Sequence, residues 1–275
     1  MKIANLSIIL LLVAPAARAQ NPPANPADLN KDIQINIQSP IHPLAAVPVA
    51  DEPHHAHVFQ NDFVRVYNVT IPPLDATLLH QHDRPYIYLI LGTADVVNAA
   101  EGKPEVRLQF ADGATRYTPG GFAHIARTDA GIPFHNITIE LEKPQTSPRN
   151  LPPGANDRPL GSCPPVAAST KPANNQIPGE HSVSCFETDQ VRLDLVHVEG
   201  GKDYSDAAPR AATLLVAMSG ANLDVSLGGQ HTAFLHEGDV LWLPAGTSRR
   251  VVDFLGTQSS FLLLSFKDSA APPPN

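Results

Sequence analysis

Two stretches with one pattern decide how this chain is read: GATRYTPGGFAH, residues 113–124, and GDVLWLPAGTSR, residues 238–249. Both run G-x5-P-x-G-x2, ending on His124 in the first and Arg249 in the second. Gly113 and Gly121 sit where tight turns need positive φ, and Pro119 sets the backbone ahead of a strand. An earlier pair of matches keeps the same order. Phe59-x-x-Asp62-x-Val64-Arg65 and Phe186-x-x-Asp189-x-Val191-Arg192 are both F-x-x-D-x-V-R. Two patterns repeated in order mark an internal duplication.

The segments between these motifs lack helical periodicity. YIYLILG (86–92), VRLQFADG (106–113) and HNITIEL (135–141) alternate as strands with one face inward do. The class is therefore all-β. The chain divides into a leader (1–19), a Pro- and Asn-rich lead-in (20–52), lobe one (53–142), a Pro-rich linker (143–180), lobe two (181–268) and a tail (269–275).

Lys2, an apolar run near Ile8–Ala14 and the small-x-small sequence Ala17-Arg18-Ala19 predict a secretory signal peptide, too short to span a bilayer. Its removal takes the formal charge from −8 to −10 by losing Lys2 and Arg18. No Lys/Arg cluster remains, which argues against nucleic-acid binding. The expected product is exported, periplasmic or secreted, with no membrane segment. Cys163 and Cys185 are then a candidate disulfide, closing a loop of about 22 residues worth about 3 kcal/mol in the chain-entropy picture.

His80 and His82 alternate just before the run 86–90. On an extended chain they share one face about 7 Å apart, close enough for both imidazoles to hold one metal ion. The segment 113–124 resembles the second motif of the cupin superfamily, G-x5-P-x-G-x2-H-x3-N, with Thr128 in place of the Asn. His80, His82 and Gly92 resemble its first motif, G-x5-H-x-H-x3-4-E-x6-G. Leu74 stands at the opening Gly, and Pro85 occupies the place of the acid ligand, beside Tyr86. The resemblance covers both lobes, about 170 residues. It implies two jelly-roll β-barrels, a bicupin, with a divalent transition metal on His80, His82 and His124. Imidazole ligands do not choose between Fe, Mn, Zn, Ni and Cu. Asp83 neighbours His82 and is expected to point to the opposite face.

Lobe two serves as an internal control. Counting back from Gly220 puts Ala208 and Arg210 at the two histidine positions, with Arg249 at the third, so no metal is expected there. Asp62/Asp189 and Arg65/Arg192, shared by both lobes, read as scaffold contacts. His54, His55 and His57 read as a solvated segment at the barrel edge, the alternative being an auxiliary metal or gating cluster. His135 reads as structural, and Tyr86, Tyr88, Arg116 and Arg127 as candidates for the pocket or its rim. No catalytic residue is assigned.

Three readings from different classes stay open. One is a metal-dependent oxygenase or isomerase acting on a small organic molecule. The second is a non-catalytic exported module binding a small ligand or metal, and the third a structural bicupin with no metal. A homodimer and packing of the lobes on each other are both compatible with the sequence.

Overall fold

The computed structural model describes residues 45–164, 180–207 and 209–267. The expected signal peptide, the lead-in up to residue 44, the linker between 165 and 179, and the tail lie outside the described residues.

Lobe one contains β1 (Val47–Pro48), β2 (His55–Gln60), β3 (Val64–Ile71), β4 (His80–His82), β5 (Tyr86–Ile90), β6 (Ala94–Ala100), β7 (Val106–Phe110), β8 (Thr115–Thr118), β9 (Phe122–Arg127) and β10 (Phe134–Leu141). They form two five-stranded sheets, in the orders β1-β4-β9-β6-β7 and β2-β3-β10-β5-β8. The linker contributes β11 (Arg149–Asn150). Lobe two follows with β12 (Glu180–Glu187), β13 (Val191–Glu199), β14 (Asp203–Asp206), β15 (Ala212–Ala217), β16 (Asn222–Leu227), β17 (Gln230–His236), β18 (Val240–Leu243), β19 (Arg249–Asp253) and β20 (Gln258–Phe266). These make sheets of order β11-β12-β13-β20-β15-β18 and β14-β19-β16-β17. Each lobe is thus a sandwich of two separate sheets; among the described strands no single hydrogen-bonded ring closes into the expected barrel.

The alternating strands bury both faces, not one. On β5, Tyr86, Tyr88 and Ile90 point into lobe one, while Ile87 and Leu89 point out with Leu91 beyond the strand. Ile137, Ile139 and Leu141 of β10 also face out. These outward residues meet Leu193 and Leu195 of β13 and Leu262 and Leu264 of β20, all fully buried. Opposite parities of the same lobe-two strands, such as Val196, Val198 and Phe261, fill that lobe's own interior. Four sheets therefore stack with a shared apolar layer in the middle. Trp242 of β18 reaches across it, stacking 5.5 Å from Phe63. Burial of two sheet faces against each other supplies a core that neither lobe has alone.

The repeated motifs have matching local roles. Asn61 Oδ1 accepts from the amides of Phe63 and Val64, and Thr188 Oγ1 from those of Gln190 and Val191. The residue just before the shared Asp thus caps the turn in both lobes. Asp189 itself accepts from Thr146 in the linker, and Arg192 pairs with Asp194. Cys163 and Cys185 are disulfide-bonded, tying the linker to β12. Leu74 holds φ +60°, the glycine-favoured conformation, and is 76% exposed.

Candidate metal centre

Strand pairing brings the histidines together. β1 pairs in parallel with β4, setting Val47 opposite His80, and β9 pairs antiparallel with β4, setting His124 opposite His80. The turn at Pro119–Gly121 sets this pairing. The amide of Gly121 donates to the carbonyl of His82 at 2.7 Å. At Gly120, φ +73°, a Cβ would stand 2.0 Å from the carbonyl oxygen of Arg84, so only glycine lets β9 approach β4 this closely.

His55, His80 and His82 have ligating atoms within 4.8 Å of one another, and all three are buried. His124 flanks them, its ring 4.4 Å from that of His80 and 5.5 Å from that of His82. The structure thus gathers the three histidines singled out by motif spacing and adds a fourth. His55 overturns its reading as part of a solvated segment. Its partner on β3 is Val69, a cavity-lining residue, so the sheet register turns it inward. His57 is exposed, and His54 is half-buried between Glu52 and Asp75.

The four rings are held alike. His55 Nδ1 donates to Glu52 Oε2 at 2.6 Å, and His80 Nδ1 to the carbonyl of Leu78 at 2.9 Å. His82 Nδ1 donates to Glu140 Oε1 at 3.3 Å, and His124 Nδ1 to Asn98 Oδ1 at 2.5 Å. With the Nδ1 proton committed outward, a neutral ring keeps a lone pair on Nε2. Burial, then the neighbouring imidazoles, pushes the pKa of His80 down to about 4 and that of His124 to about 2. Burial also lowers His55, against the opposing pull of Glu52. These three rings are therefore neutral at pH 7. Nε2 of His80 and Nε2 of His124 are buried without a hydrogen-bond partner. Buried lone pairs left unpartnered are what a metal ion satisfies, and outward-bonded imidazoles are the arrangement metal sites use. The donor set fits a transition-metal ion.

Carboxylates return to the site from unexpected places. Pro85 supplies none, but Glu52 and Glu140 are buried behind the rings of His55 and His82. Glu52 is pulled down to about 2: burial raises it, but hydrogen bonds from His55 and His54 and from the Leu78 amide outweigh that. The only local sign of this in the sequence is the Glu52-x-x-His55 spacing; Glu140 lies on a distant strand. Asp83 is exposed and accepts from Gln81, away from the histidines.

A cavity of about 270 Å3 opens beside the rings, walled by Val69, Ile71, Val96, Leu108, Phe110 and Phe134. Tyr86 and Tyr88 line it, and Tyr86 stacks 4.3 Å from His82. Burial raises both phenols, so they stay neutral. Neither Arg116 nor Arg127 lines it; Arg127 is turned out to Glu105 and Asp129. His135 Nε2 donates to Asn68 Oδ1, 2.9 Å away, outside the cavity.

No protein-family model matches the sequence, and no curated protein does either. Solved structures do match. A salicylate 1,2-dioxygenase from Pseudoaminobacter salicylatoxidans, in a crystal with gentisate, superposes with TM-score 0.52 at 14% identity, over 74% of this chain and 68% of its own. A second structure, of the enzyme named as from Pseudaminobacter salicylatoxidans, gives TM-score 0.50 at 15% identity, over 74% and 71%. Neither lobe alone is long enough for that coverage, so the match takes in both. The fold is a bicupin. A cupin 2 conserved barrel domain protein from Leptotrichia buccalis is also similar, at TM-score 0.48 and 9% identity over 77% of this chain and 87% of its own.

Within the bicupin, lobe two corrects the motif count. Arg249 pairs with Asp206 across β19 and β14 just as His124 pairs with His80 across β9 and β4. Asp206 therefore stands at the place of His80, while Ala208 lies outside the described residues. Arg210 does not stand at that place. Counting back from Gly220 fails because lobe two carries two more residues than lobe one between this strand pair and the glycine. A 3.0 Å ion pair, Arg249 to Asp206, replaces the histidine contact. A guanidinium has no lone pair for a metal, so the Arg249 position cannot serve as a ligand.

Proposed function

We propose that this bicupin is a metal-dependent enzyme, an oxygenase acting on a small, largely apolar organic molecule bound beside the histidines of lobe one. The observation that carries this is the convergence of outward-bonded imidazoles, two with buried, unpartnered Nε2 atoms, on the wall of a 270 Å3 cavity. His80, His82 and His124 would hold the ion, with His55 beside them as a fourth donor. A transition-metal ion held there would supply Lewis acidity and redox capacity toward a substrate and O2. Among the described residues no Asp or Glu lines the cavity.

The chain's own residues do the rest. Glu52, Leu78, Glu140 and Asn98 fix each ring's orientation and tautomer. The aliphatic and phenylalanine wall excludes water and favours a flat or branched apolar substrate. Asn136, Thr138 and Thr118 provide its hydrogen-bonding groups, and Tyr86 packs against His82 and limits the space above it. The gentisate-bearing dioxygenase is consistent with an aromatic substrate and supports the oxygenase reading over isomerisation. The leader sequence and the disulfide support an exported protein, in which such a bond persists.

Elemental analysis of natively purified protein, followed by oxygen-electrode assays with small aromatic and aliphatic substrates, tests the reading. Stoichiometric transition metal that is lost in His80→Ala/His124→Ala, with O2 consumption on a substrate, is the expected result. Absence of metal, both as purified and on titration, overturns it. Metal without turnover points to the binding module instead.

A further inference from the structure

Lobe two has its own cavity, of about 300 Å3, bordered by the ion pair that stands at the place of the lobe-one histidines. Arg192, Arg210 and Arg249 line it with Asp194 and Asp206, one net positive charge in an acidic chain. Arg192 is bonded to Asp194 and to Ser184. Arg249 is the unusual group. Its side chain is only 5% exposed, and Nη2 donates to Asp206. Nε and Nη1 are buried with no acceptor among the described residues. A lysine or histidine so placed could shed its proton; a guanidinium stays charged. Buried donors left open on a permanent cation make a site whose missing component is an anion.

We propose that this cavity binds a small organic monocarboxylate, with Arg249 as its buried anchor and the exposed Arg210 at the mouth. A carboxylate oxygen supplies the acceptor that Nε or Nη1 lacks; Cδ lies between those two donors, so one anion meets one of them and not both. Asp194 and Asp206 on the same wall repel a dianion such as sulfate or phosphate more than a singly charged acid. Pro209, Ala211 and Leu263 give the ligand's carbon skeleton an apolar surface. The site is separate from the metal centre: it lies in the other lobe and needs none of its residues.

Calorimetric titration of the full chain with acetate, lactate and benzoate, against sulfate at equal ionic strength, tests the proposal. At least one monocarboxylate is expected to bind saturably with Kd on the order of millimolar or tighter, and sulfate about tenfold more weakly or not at all. Arg210→Ala, on the surface, should weaken binding a few-fold, and Arg249→Gln about tenfold or more. His80→Ala/His82→Ala should leave it intact. The arginine Nε–H resonances of the unaltered protein give a readout independent of any variant, and the buried Arg249 signal should shift on titration. No saturable carboxylate binding, sulfate binding as tightly as the acids, loss of binding with the histidine variant, or binding that leaves the Arg249 resonance unmoved would each overturn the assignment.

Discussion

Glu52→Gln is the sharpest single change to make in this protein. The Glu52 side chain is fully buried and accepts four hydrogen bonds: from the amide and Nδ1 of His54, from Nδ1 of His55, and from the amide of Leu78. Its pKa falls from 4.5 to about 2, which corresponds to roughly 3 kcal/mol of native-state stability. Glutamine keeps the shape but replaces one acceptor oxygen by an NH2 donor, which in one amide orientation faces His54 Nδ1 and the Leu78 amide and in the other faces His55 Nδ1–H. In the second orientation the His55 ring turns its tautomer, accepting at Nδ1 and placing the proton on Nε2. That removes the lone pair aimed at the metal site. The expected losses are about 3 kcal/mol in urea unfolding at pH 7 and about 10- to 100-fold in metal affinity. The sign with pH is definite. A depressed carboxylate pKa contributes fully above the unfolded value near 4.5 and loses its contribution as pH falls toward about 2. The gap between parent and variant should therefore be largest at neutral pH and close across that acid window. Equal stability at pH 7 together with unchanged metal affinity would refute the reasoning.

Two further outcomes follow from the backbone. Gly120→Ala puts a Cβ 2.0 Å from the Arg84 carbonyl at φ +73°, so it should lower the melting temperature, cost about 1–3 kcal/mol and weaken metal binding by shifting β9 from β4; a melting temperature equal to the parent's would contradict the close approach. Leu74→Gly relieves an exposed residue held at φ +60°, and denaturant midpoints should show stability unchanged or raised by up to about 1 kcal/mol, where an ordinary strand-edge Leu→Gly change would lose stability.

Local spacing made much of the centre legible. The G-x5-P-x-G-x2 repeat exposed the duplication, because turn geometry demands particular residues at particular places. The alternation of His80 and His82 put two imidazoles on one face, because side chains on a strand repeat every second residue. What local spacing could not supply was cross-strand register. His55 faces inward because it lies opposite Val69, and an irregularity in pairing after His57 breaks any parity counted along the strand. Glu140 reaches His82 from 58 residues away, so the missing acid at Pro85 concealed a carboxylate held elsewhere. Asp206 faces Arg249, because two additional residues shift the count and only strand pairing reveals it.

The apolar alternation of residues 86–91 likewise announced strands without saying that both faces would be covered. That was decided when the two lobes stacked, since Ile87 and Leu89 need the far lobe's Leu193 and Leu264 to leave water. The sequence by itself determined the all-β class, the repeat and three of the histidines, all of which depend on neighbours a few residues apart. Tertiary structure alone decided the fourth histidine, the carboxylates behind the rings and the buried arginine of lobe two. Each of these depends on which strand lies beside which, and that pairing is set by the packing of whole sheets.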